Sequence, residues 1–493
     1  MTLIFSGNDY KYELEGIMKL FIPASLFNHV YSDRIDTDDD YIYARERKYK
    51  GYTLLYVIAS YNGKRLHKSH IIRAGDTGLD ADCELIMSRL LYMLMQRLTG
   101  KSSGWGVITG IRPVKRVNAM ISDGMDKEEI TKTLKTKYLC SDEKCELSYL
   151  TAQIQKNALD ELSKNSFSLY VSVPFCPTRC SYCSFVSQSV EGTMKLIPEY
   201  INKLCEEIRY TGSLVKKLGL RLDTVYFGGG TPTTFTAPQL ERIMNTIAES
   251  FDMSALREYT IEAGRPDTIT EDKLKTIKAL GCKRISINPQ TLNDNVLEAI
   301  GRKHTTAQFY ESFKLARRIG FECINTDIIA GLPSDTVESF KHTIDELIRL
   351  SPENITVHTL SIKRSARINQ SHDRTVLDNP ASEMVSYASE KLLEAGYRPY
   401  YLYRQKNMLD NLENIGWTKP GYESLYNIYI MEEVQTILAM GAGASTKLVD
   451  VENKRLERVF NYKFPLEYNK HFDLMLKKKD EIEDFYAEKE CHC

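Results

Sequence analysis

The sequence predicts an α/β protein whose central domain is an open, partial (β/α)6 version of the eight-fold TIM-like barrel. An α+β domain precedes it and a mostly helical domain follows it. Three observations support this fold class: short apolar runs alternate with amphipathic helical patterns over residues 166–365, the flanking residues follow other patterns, and 493 residues suffice for two to four domains. Regular strand–helix alternation implies a parallel sheet with right-handed crossovers.

Six apolar runs are predicted to be the strands of this barrel. They are Leu169 to Val173, Thr224 to Phe227, Tyr259 to Glu262, Arg284 to Asn288, Cys323 to Ile329 and Ile355 to Leu360. Each run is followed by a helical pattern, which gives six β/α units between residues 166 and 365. In such an arrangement the loops after the strands are where an active site is expected.

Residues 1–165 are predicted to form an α+β domain of unknown role. Alternating, tyrosine-rich segments broken at Asn62-Gly63 are typical of a β-hairpin. Cys83 to Leu98 has apolar residues at helical spacing and ends at Gly100, and Lys127 to Ala158 predicts further helices.

The same domain contains a group of basic residues in its predicted strands: Arg45, Arg47, Lys48, Lys50, Lys64, Arg65 and Lys68. The simplest interpretation is that they are solvated strand edges. They are also the only features of the sequence that favour an RNA partner.

Residues 366–493 are predicted to form a mostly helical domain that covers a substrate. Its middle, from Tyr397 to Tyr429, is dense in tyrosine, and Gly441 to Thr446 is predicted to be a turn. The terminal Cys491-His492-Cys493 offers metal ligands, although a tail of this kind is usually disordered.

Composition and charge exclude several classes of protein. With 65 basic and 66 acidic residues, overall electrostatics argue against a nucleic-acid partner. Charged residues interrupt the first fifteen positions, and no uncharged apolar run is long enough for a membrane span, so we expect a cytoplasmic protein. Eleven cysteines are too few for a disulfide scaffold in a chain of this length.

Three of the cysteines, Cys176, Cys180 and Cys183, form a C-x3-C-x2-C motif directly after the first predicted strand. Three thiolates can hold three corners of a [4Fe-4S] cluster and leave one iron free for a further ligand. Zinc with a fourth ligand from elsewhere is the alternative. The position at the carboxyl end of a strand favours the cluster.

The motif Pro-Phe-Cys-x3-Cys-x-Tyr-Cys, with Tyr170 six residues before Cys176, resembles that of the radical S-adenosylmethionine (SAM) enzymes. Within them it is similar to the oxygen-independent coproporphyrinogen III oxidase (coproporphyrinogen dehydrogenase) family, and the large N-terminal domain resembles its HemZ-type members. The resemblance implies a [4Fe-4S] cluster held by the three cysteines together with SAM.

Polar residues and glycines follow the other predicted strands, and each alone could be a surface or capping group. The family resemblance implies that together they bind SAM, whose ribose, carboxylate and amine need a carboxylate, a cation and amide groups. The implied SAM-binding residues are Tyr170, Gly229, Gly230, Thr231, Glu262, Gln290, Arg302 and Asp327, with Tyr182 beside the adenine.

The resemblance also implies a reaction. Reductive cleavage of SAM would give a 5′-deoxyadenosyl radical that abstracts hydrogen from a propionate of coproporphyrinogen III, and two decarboxylations would yield protoporphyrinogen IX in anaerobic heme biosynthesis. A low-potential electron donor of the flavodoxin or ferredoxin type would be needed. Tyrosines and cations near the C-terminus could hold the anionic tetrapyrrole or simply pack against a neighbouring domain: Tyr397, Arg398, Tyr400, Tyr401, Tyr403, Arg404 and Lys406.

Two positions depart from the oxidase pattern. Phe185 stands where the family has a fourth cysteine, and Ser172 stands where it has a histidine. Both substitutions resemble the heme-chaperone relatives. A heme-binding chaperone on the same scaffold is therefore the first alternative function, and a radical SAM enzyme acting on heme or RNA is the second.

Overall fold

A computed structural model of the chain describes residues 1–22, 26–37, 39–183, 188–361, 380–405 and 408–491. These residues form two compact units. The first contains Met1–Ala152 and Arg404–Asn411, and the second contains Gln153–Tyr403 and Leu412–Cys493.

The first unit is a five-stranded sheet with helices. Its elements are β1 (Thr2–Ser6), α1 (Lys11–Phe21), β2 (Asn28–Tyr31), β3 (Tyr41–Tyr49), β4 (Tyr52–Tyr61), β5 (Lys64–Arg73), α2 (Cys83–Thr99), α3 (Pro113–Ser122), α4 (Lys127–Lys137) and α5 (Asp142–Asp160), the last of which continues into the second unit. The sheet order is β2-β1-β3-β4-β5, with β3, β4 and β5 antiparallel.

Local sequence accounts for the turns of this unit. The predicted hairpin is confirmed as β4–β5, and Asn62 and Gly63 between them both have positive φ, at 48° and 72°. Two left-handed residues form the turn that matches the twist of a two-residue hairpin. The predicted helix from Cys83 is also confirmed as α2, which ends at the left-handed Gly100.

The second unit has an eleven-stranded sheet. Its strands are β6 (Ser166–Val173), β7 (Phe175–Cys176), β8 (Gln188–Ser189), β9 (Arg221–Gly229), β10 (Glu258–Gly264), β11 (Arg284–Ile287), β12 (Cys323–Ala330), β13 (Asn354–Thr359), β14 (Arg398–Tyr403), β15 (Asn414–Thr418), β16 (Thr436–Met440), β17 (Ser445–Asp450) and β18 (Arg455–Phe460), of which β7 and β8 form a separate pair.

Helices connect these strands. They are α6 (Val190–Thr193), α7 (Ile197–Lys217), α8 (Ala237–Ser250), α9 (Glu271–Ala279), α10 (Asp294–Ala299), α11 (Thr306–Ile319), α12 (Val337–Leu350), α13 (Ala381–Glu394), α14 (Leu425–Glu432), α15 (Pro465–Lys470), α16 (Phe472–Lys477) and α17 (Asp480–Cys491). Among the described residues, no helix combines the length and apolarity needed to cross a membrane.

All six predicted barrel strands are confirmed. They lie side by side and parallel in the order β13-β12-β11-β10-β9-β6. Beyond β13 come the antiparallel β15 and β14, and beyond β6 comes the parallel β16. The sheet has two edges, β14 and β18, so the barrel is open.

The C-terminal helices are accompanied by five strands, β14 to β18, that the sequence patterns did not predict. Every residue of β15 and of β16 is buried. A short, continuously buried strand has no alternation, so periodicity alone does not distinguish it from a piece of buried helix.

Candidate active site

The cysteine loop leaves the carboxyl end of β6. Cys176 lies in β7 and pairs with Ser189 of β8, and the Cys183 amide donates to the Cys180 carbonyl at 3.2 Å. The Ser181 amide donates to the Ile300 carbonyl at 3.0 Å. The loop is thus fastened to the turn that follows α10. Phe185 lies outside the described residues.

The glycine loop after β9 runs directly alongside the residues before the first cysteine. Gly230 donates to the Val173 carbonyl at 2.6 Å and Thr231 to the Phe175 carbonyl at 2.8 Å. A Cβ on Gly230 would lie only 2.5 Å from the Phe175 oxygen. We expected glycine here to let a ligand approach, but at this position it lets two protein loops approach each other. The Thr231 hydroxyl then lies 3.5 Å from the Cys176 sulfur.

Arg302 follows α10 and faces the cysteine loop. Its Nη1 donates to the Asn288 carbonyl at 2.9 Å. Burial by itself lowers the pKa of Arg302, but the neighbouring Tyr182 and Cys180 raise it above its ordinary value. Its buried Nε has no hydrogen-bond partner among the described residues. A buried guanidinium with a spare donor is suited to a ligand carboxylate.

Gln290 is held in an uncommon backbone conformation just after β11. Its φ is 69°, and left-handed geometry costs roughly 1–2 kcal/mol for a residue with a Cβ. Its amide donates to the Asp327 carbonyl at 3.0 Å, and its carbonyl accepts from the Ile329 amide at 3.0 Å. These bonds to β12 hold the strained residue in place, as is common at functional sites.

Glu262 and Asp327 form a pair of carboxyl groups with opposite pKa shifts. Burial raises the pKa of Glu262 from 4.5 to about 7, and Asp327 adds to the rise although the Tyr226 hydroxyl donates to Glu262. Burial also pushes the pKa of Asp327 upward, but His358 and Asn325 hold it below its ordinary value. Near neutral pH Asp327 is therefore ionised while Glu262 retains a proton for much of the time.

His358, in β13, completes this polar group and was missed in the sequence. Its Nε2 lies 3.9 Å from Asp327 Oδ2, and its side chain is 28% exposed. Asn325 Nδ2 donates to the other oxygen of Asp327 at 2.8 Å. The available signal was a histidine inside an otherwise buried apolar strand, at the edge where the other strands place polar residues.

Three tyrosines form a stacked wall next to the carboxylates. The rings of Tyr226 and Tyr426 are 4.4 Å apart at 18°, and Tyr170 lies 6.3 Å from Tyr226 and 6.2 Å from Tyr426. Burial, and then Glu262, raise the pKa of Tyr170, so the phenol is neutral. Sequence reasoning identified Tyr170 but not its two partners, because their proximity depends on the fold.

The turn between β16 and β17 is fixed to the same edge by a buried ion pair. Lys479 Nζ lies 3.0 Å from Glu207 Oε1, and both side chains are buried. Glu207 also accepts from the Gly441 amide at 2.8 Å and from the Tyr468 hydroxyl at 2.6 Å. Ser172, which stands where the oxidase pattern has a histidine, donates to the Ala442 carbonyl at 2.8 Å. Ser172 is thus a structural anchor for this turn.

The C-terminal cations proposed for an anionic substrate are used elsewhere. Arg398 pairs with Thr418 and lies level with Asn354, at the amino edge of the sheet and away from the cysteine loop. Arg404 belongs to the first unit, where it is buried and donates to the carbonyls of Ile108 and Asn411. These contacts favour the packing interpretation for both arginines. Lys406, His492 and Cys493 lie outside the described residues, as does the side chain of Cys491.

The tyrosines of this segment are part of the protein core. Tyr400 and Tyr401 pack with Ala158, Ile428 and Tyr429 in one hydrophobic cluster, and the Tyr397 hydroxyl donates to the Pro352 carbonyl at 2.6 Å. The packing interpretation therefore describes them better than a tetrapyrrole surface.

The residues at the carboxyl edge fit an iron–sulfur cluster with a sulfonium nucleoside. Three thiols share one loop, Arg302 Nε is buried without a hydrogen-bond partner among the described residues, and two carboxyl groups have opposite pKa shifts. Within the described part of the chain, no three side chains of His, Cys, Asp or Glu converge as one metal ion requires.

Comparison with known proteins bears on this site. Residues 170–347 match the Radical SAM superfamily. The chain is 42% identical over 392 residues to the oxygen-independent coproporphyrinogen-III oxidase-like protein HemZ of Bacillus subtilis, covering 78% of each chain. It is 32% identical over 322 residues to the heme chaperone HemW of Lactococcus lactis, covering 64% of this chain and 79% of that one.

A solved structure gives an independent comparison of the fold. Coproporphyrinogen III oxidase (HemN) from Escherichia coli superposes with a TM-score of 0.51 at 24% identity, covering 66% of this chain and 73% of that one. At this identity the likeness concerns the fold alone.

Proposed function

The chain belongs to the radical SAM superfamily and, within it, to the family of the Bacillus subtilis HemZ protein, and from that membership we propose that it oxidatively decarboxylates coproporphyrinogen III to protoporphyrinogen IX. Members of the superfamily bind a [4Fe-4S] cluster and SAM. The supporting observation is that the cysteine loop, Arg302 and two buried carboxyl groups lie at one edge of the sheet.

In this proposal Cys176, Cys180 and Cys183 hold the cluster. Arg302 binds the SAM carboxylate with its Nε, and Glu262 and Asp327 bind hydroxyl groups of the ribose. The two carboxyls are not equivalent: Asp327 only accepts hydrogen bonds, whereas protonated Glu262 also donates. Gly229, Gly230, Thr231 and Gln290 supply backbone and amide groups, and Tyr182 lies beside the adenine.

When bound, the cluster and SAM supply the electron transfer and the hydrogen abstraction. The protein positions the reactants and excludes water. The stacked Tyr170, Tyr226 and Tyr426 are neutral, with Tyr426 buried and the other two partly buried, which suits them to shield the reacting atoms from solvent. A low-potential electron donor of the flavodoxin or ferredoxin type is part of the proposal.

Among the described side chains, we propose that His358 contacts a substrate propionate. Arg398 and Arg404 are committed elsewhere, and His358 is partly exposed beside Asp327. Replacing His358 with phenylalanine should raise the KM for coproporphyrinogen about tenfold, since a charge-assisted hydrogen bond contributes roughly 1.5–3 kcal/mol. SAM affinity should fall by less than the KM rises, because Asn325 still donates to Asp327. An equal loss of affinity for both ligands would contradict this role.

The direct test is an anaerobic assay of the reconstituted protein with SAM, a chemical reductant and coproporphyrinogen III. We expect carbon dioxide, vinyl porphyrinogen and 5′-deoxyadenosine to form together, and omission of the porphyrinogen should suppress SAM cleavage. SAM cleavage that never produces vinyl groups would refute the oxidase assignment while leaving the cofactor assignment intact.

A heme chaperone is the second candidate, and one observation favours it. Ser172 replaces the oxidase histidine and is engaged in a structural hydrogen bond to Ala442, and the chain is similar to HemW over most of that protein's length. A chaperone would bind heme stoichiometrically and leave coproporphyrinogen unchanged. That result in the same assay would reverse the order of the two candidates.

A further inference from the structure

One face of the first unit's sheet carries mainly basic and aromatic side chains. Directly opposed residues of antiparallel strands point to the same face, and the register of β3, β4 and β5 therefore sorts the strand residues into two sets. One face carries Tyr43, Arg45, Arg47, Tyr49, Tyr52, Leu54, Tyr56, Ile58, Arg65, His67, Ser69, Ile71 and Arg73. We call this set the basic-aromatic face.

The opposite face is the one that packs inside the unit. Leu55, Val57 and Ala59 are fully buried there, and α2 lies against β4 and β5. On the basic-aromatic face, Ile58 is covered together with Ile4, Tyr41 and Tyr43. Arg45, Leu54 and Tyr56 are partly buried, and other positions of that face are open to solvent: Tyr49 and Tyr52 are each 40% exposed and Ile71 is 52% exposed.

The register also divides the cations that the sequence grouped together. Arg45, Arg47 and Arg65 share the basic-aromatic face and are joined by Arg73 and His67. Lys48 and Lys68 belong to the other face, where Lys48 pairs with Glu46 at 3.5 Å and Lys68 contacts Met93. Four arginines therefore share one face of the sheet.

Carboxylates are excluded from the centre of this face. Residues 41–73 are all described, and Glu46, the acid among them, lies on the packed face and accepts from the Tyr10 hydroxyl at 2.6 Å. Acids border the face: the Tyr43 hydroxyl donates to the Asp33 carbonyl at 3.3 Å and Ile35 packs against the Ile58 cluster, while Asp40 accepts from the Asn62 amide at 2.9 Å and Asp76 from the Arg73 amide at 2.8 Å. The positive charge is thus local, although the whole chain has a net charge of −1.

Flat rings alternate with these cations. The Tyr49 and Tyr52 rings stack 4.8 Å apart at 17°, and Arg47 lies 5.4 Å from the centre of Tyr49. Tyr56 lies 5.8 Å from His67, and the exposed Ser69 is directly opposite Tyr56. Aromatic platforms bind bases by stacking, guanidinium groups bind phosphates, and a neighbouring hydroxyl can bind a ribose 2′-OH.

We propose that the basic-aromatic face binds single-stranded RNA. An acidic peptide would use the arginines but would leave the stacked rings unused, whereas a nucleotide strand uses both. The three-strand width of the face permits contact with several successive nucleotides. This inference concerns the first unit and does not depend on the reaction proposed for the second.

Binding can be measured by the fluorescence anisotropy of a labelled 12-nucleotide oligouridine mixed with the full-length protein. We expect binding that weakens as salt increases, with a log–log slope of about −2 to −3 if three or four phosphates are contacted. The double variant Arg47→Gln/Arg65→Gln should bind at least tenfold more weakly. Tyr52→Ala should bind the RNA at least about fivefold more weakly, because stacking on one aromatic ring contributes roughly 1–3 kcal/mol per base.

The matched control is Lys48→Gln/Lys64→Gln. It removes the same charge from the same two strands, β3 and β5, at positions that point to the opposite face. Its affinity for the RNA should stay within twofold of that of the wild type. Equal loss in both double variants, or no binding at 50 mM salt, would overturn the proposal. Oligothymidine DNA and oligoglutamate should compete with the labelled RNA less well than unlabelled RNA does. If either competes equally well, the RNA proposal is overturned in favour of that ligand. Self-association abolished by Tyr52→Ala would assign the face to a second copy of the chain.

Discussion

In the second unit the candidate site residues lie in the carboxyl halves of parallel strands or just after them, whereas in the first unit the basic and aromatic side chains are spread along antiparallel strands. Carboxyl ends of parallel strands meet at one edge, so residues far apart in sequence, such as Cys176 and Asp327, converge without any knowledge of register. On an antiparallel sheet a shift of one residue moves every side chain to the other face. The first kind of site can be predicted from element order, and the second requires the pairing itself.

Cysteine replacement tests this contrast with the largest expected effect. Cys176→Ala, Cys180→Ala and Cys183→Ala should each abolish 5′-deoxyadenosine production, because a corner of the cluster loses its ligand. Cys140→Ala and Cys145→Ala in the first unit are the controls: burial raises the pKa of these thiols to about 12 and about 11, so they are inert core groups. Iron and sulfide analysis would refute the assignment if a loop variant kept its full iron content.

Arg302→Ala should weaken SAM binding by about 10- to 100-fold, since a buried charge-assisted hydrogen bond contributes roughly 1.5–3 kcal/mol. Calorimetric titration of SAM into the reconstituted protein measures this, and the cluster absorbance should be unchanged. Arg65→Ala in the first unit should leave SAM affinity unaltered. Equal affinities for the Arg302 variant and the wild type would remove Arg302 from the SAM site.

Glu262→Gln is expected to have a pH-dependent effect on stability. The raised pKa means that the folded protein keeps this proton when the unfolded chain has lost it, so stability falls as pH rises from about 4.5 to about 7 and then levels off. Glutamine cannot ionise, and relative to the wild type the variant should gain about 2–3 kcal/mol between pH 4.5 and pH 8.

Thermal melting of the cluster-free protein across this pH range gives the comparison. Parallel curves for Glu262→Gln and the wild type would show that Glu262 titrates normally. The same variant should bind SAM more weakly, so that stability and binding change in opposite directions.

Gly63→Ala should have the smallest effect. The residue has φ 72°, and a Cβ added there would have no other atom within 4 Å, so the cost is conformational, about 1 kcal/mol. It should weaken RNA binding only slightly and leave SAM cleavage intact. Loss of SAM cleavage in this variant would mean that the two units are functionally coupled.

Much of the second unit could be predicted from the sequence, because each strand is a short apolar run before a helix and the cysteine motif follows the first strand. Three features could not. The buried runs of β15 and β16 have no period, and the pairing of Asp327 with His358 joins neighbouring strands that are far apart in sequence. The acceptor of Arg404, the Ile108 carbonyl, is almost three hundred residues away in sequence, so no local pattern indicates that contact.

The buried pair of Glu207 and Lys479 has a consequence for how the protein is made. Lys479 follows Glu207 by more than half of the chain, so during synthesis the carboxylate that holds the Gly441 turn waits for its counter-ion until nearly everything else has been translated. A buried charge without its partner is costly, roughly 3–5 kcal/mol. The scaffold around the cysteines is therefore completed late, and iron delivery is best timed to the finished polypeptide rather than to the nascent one.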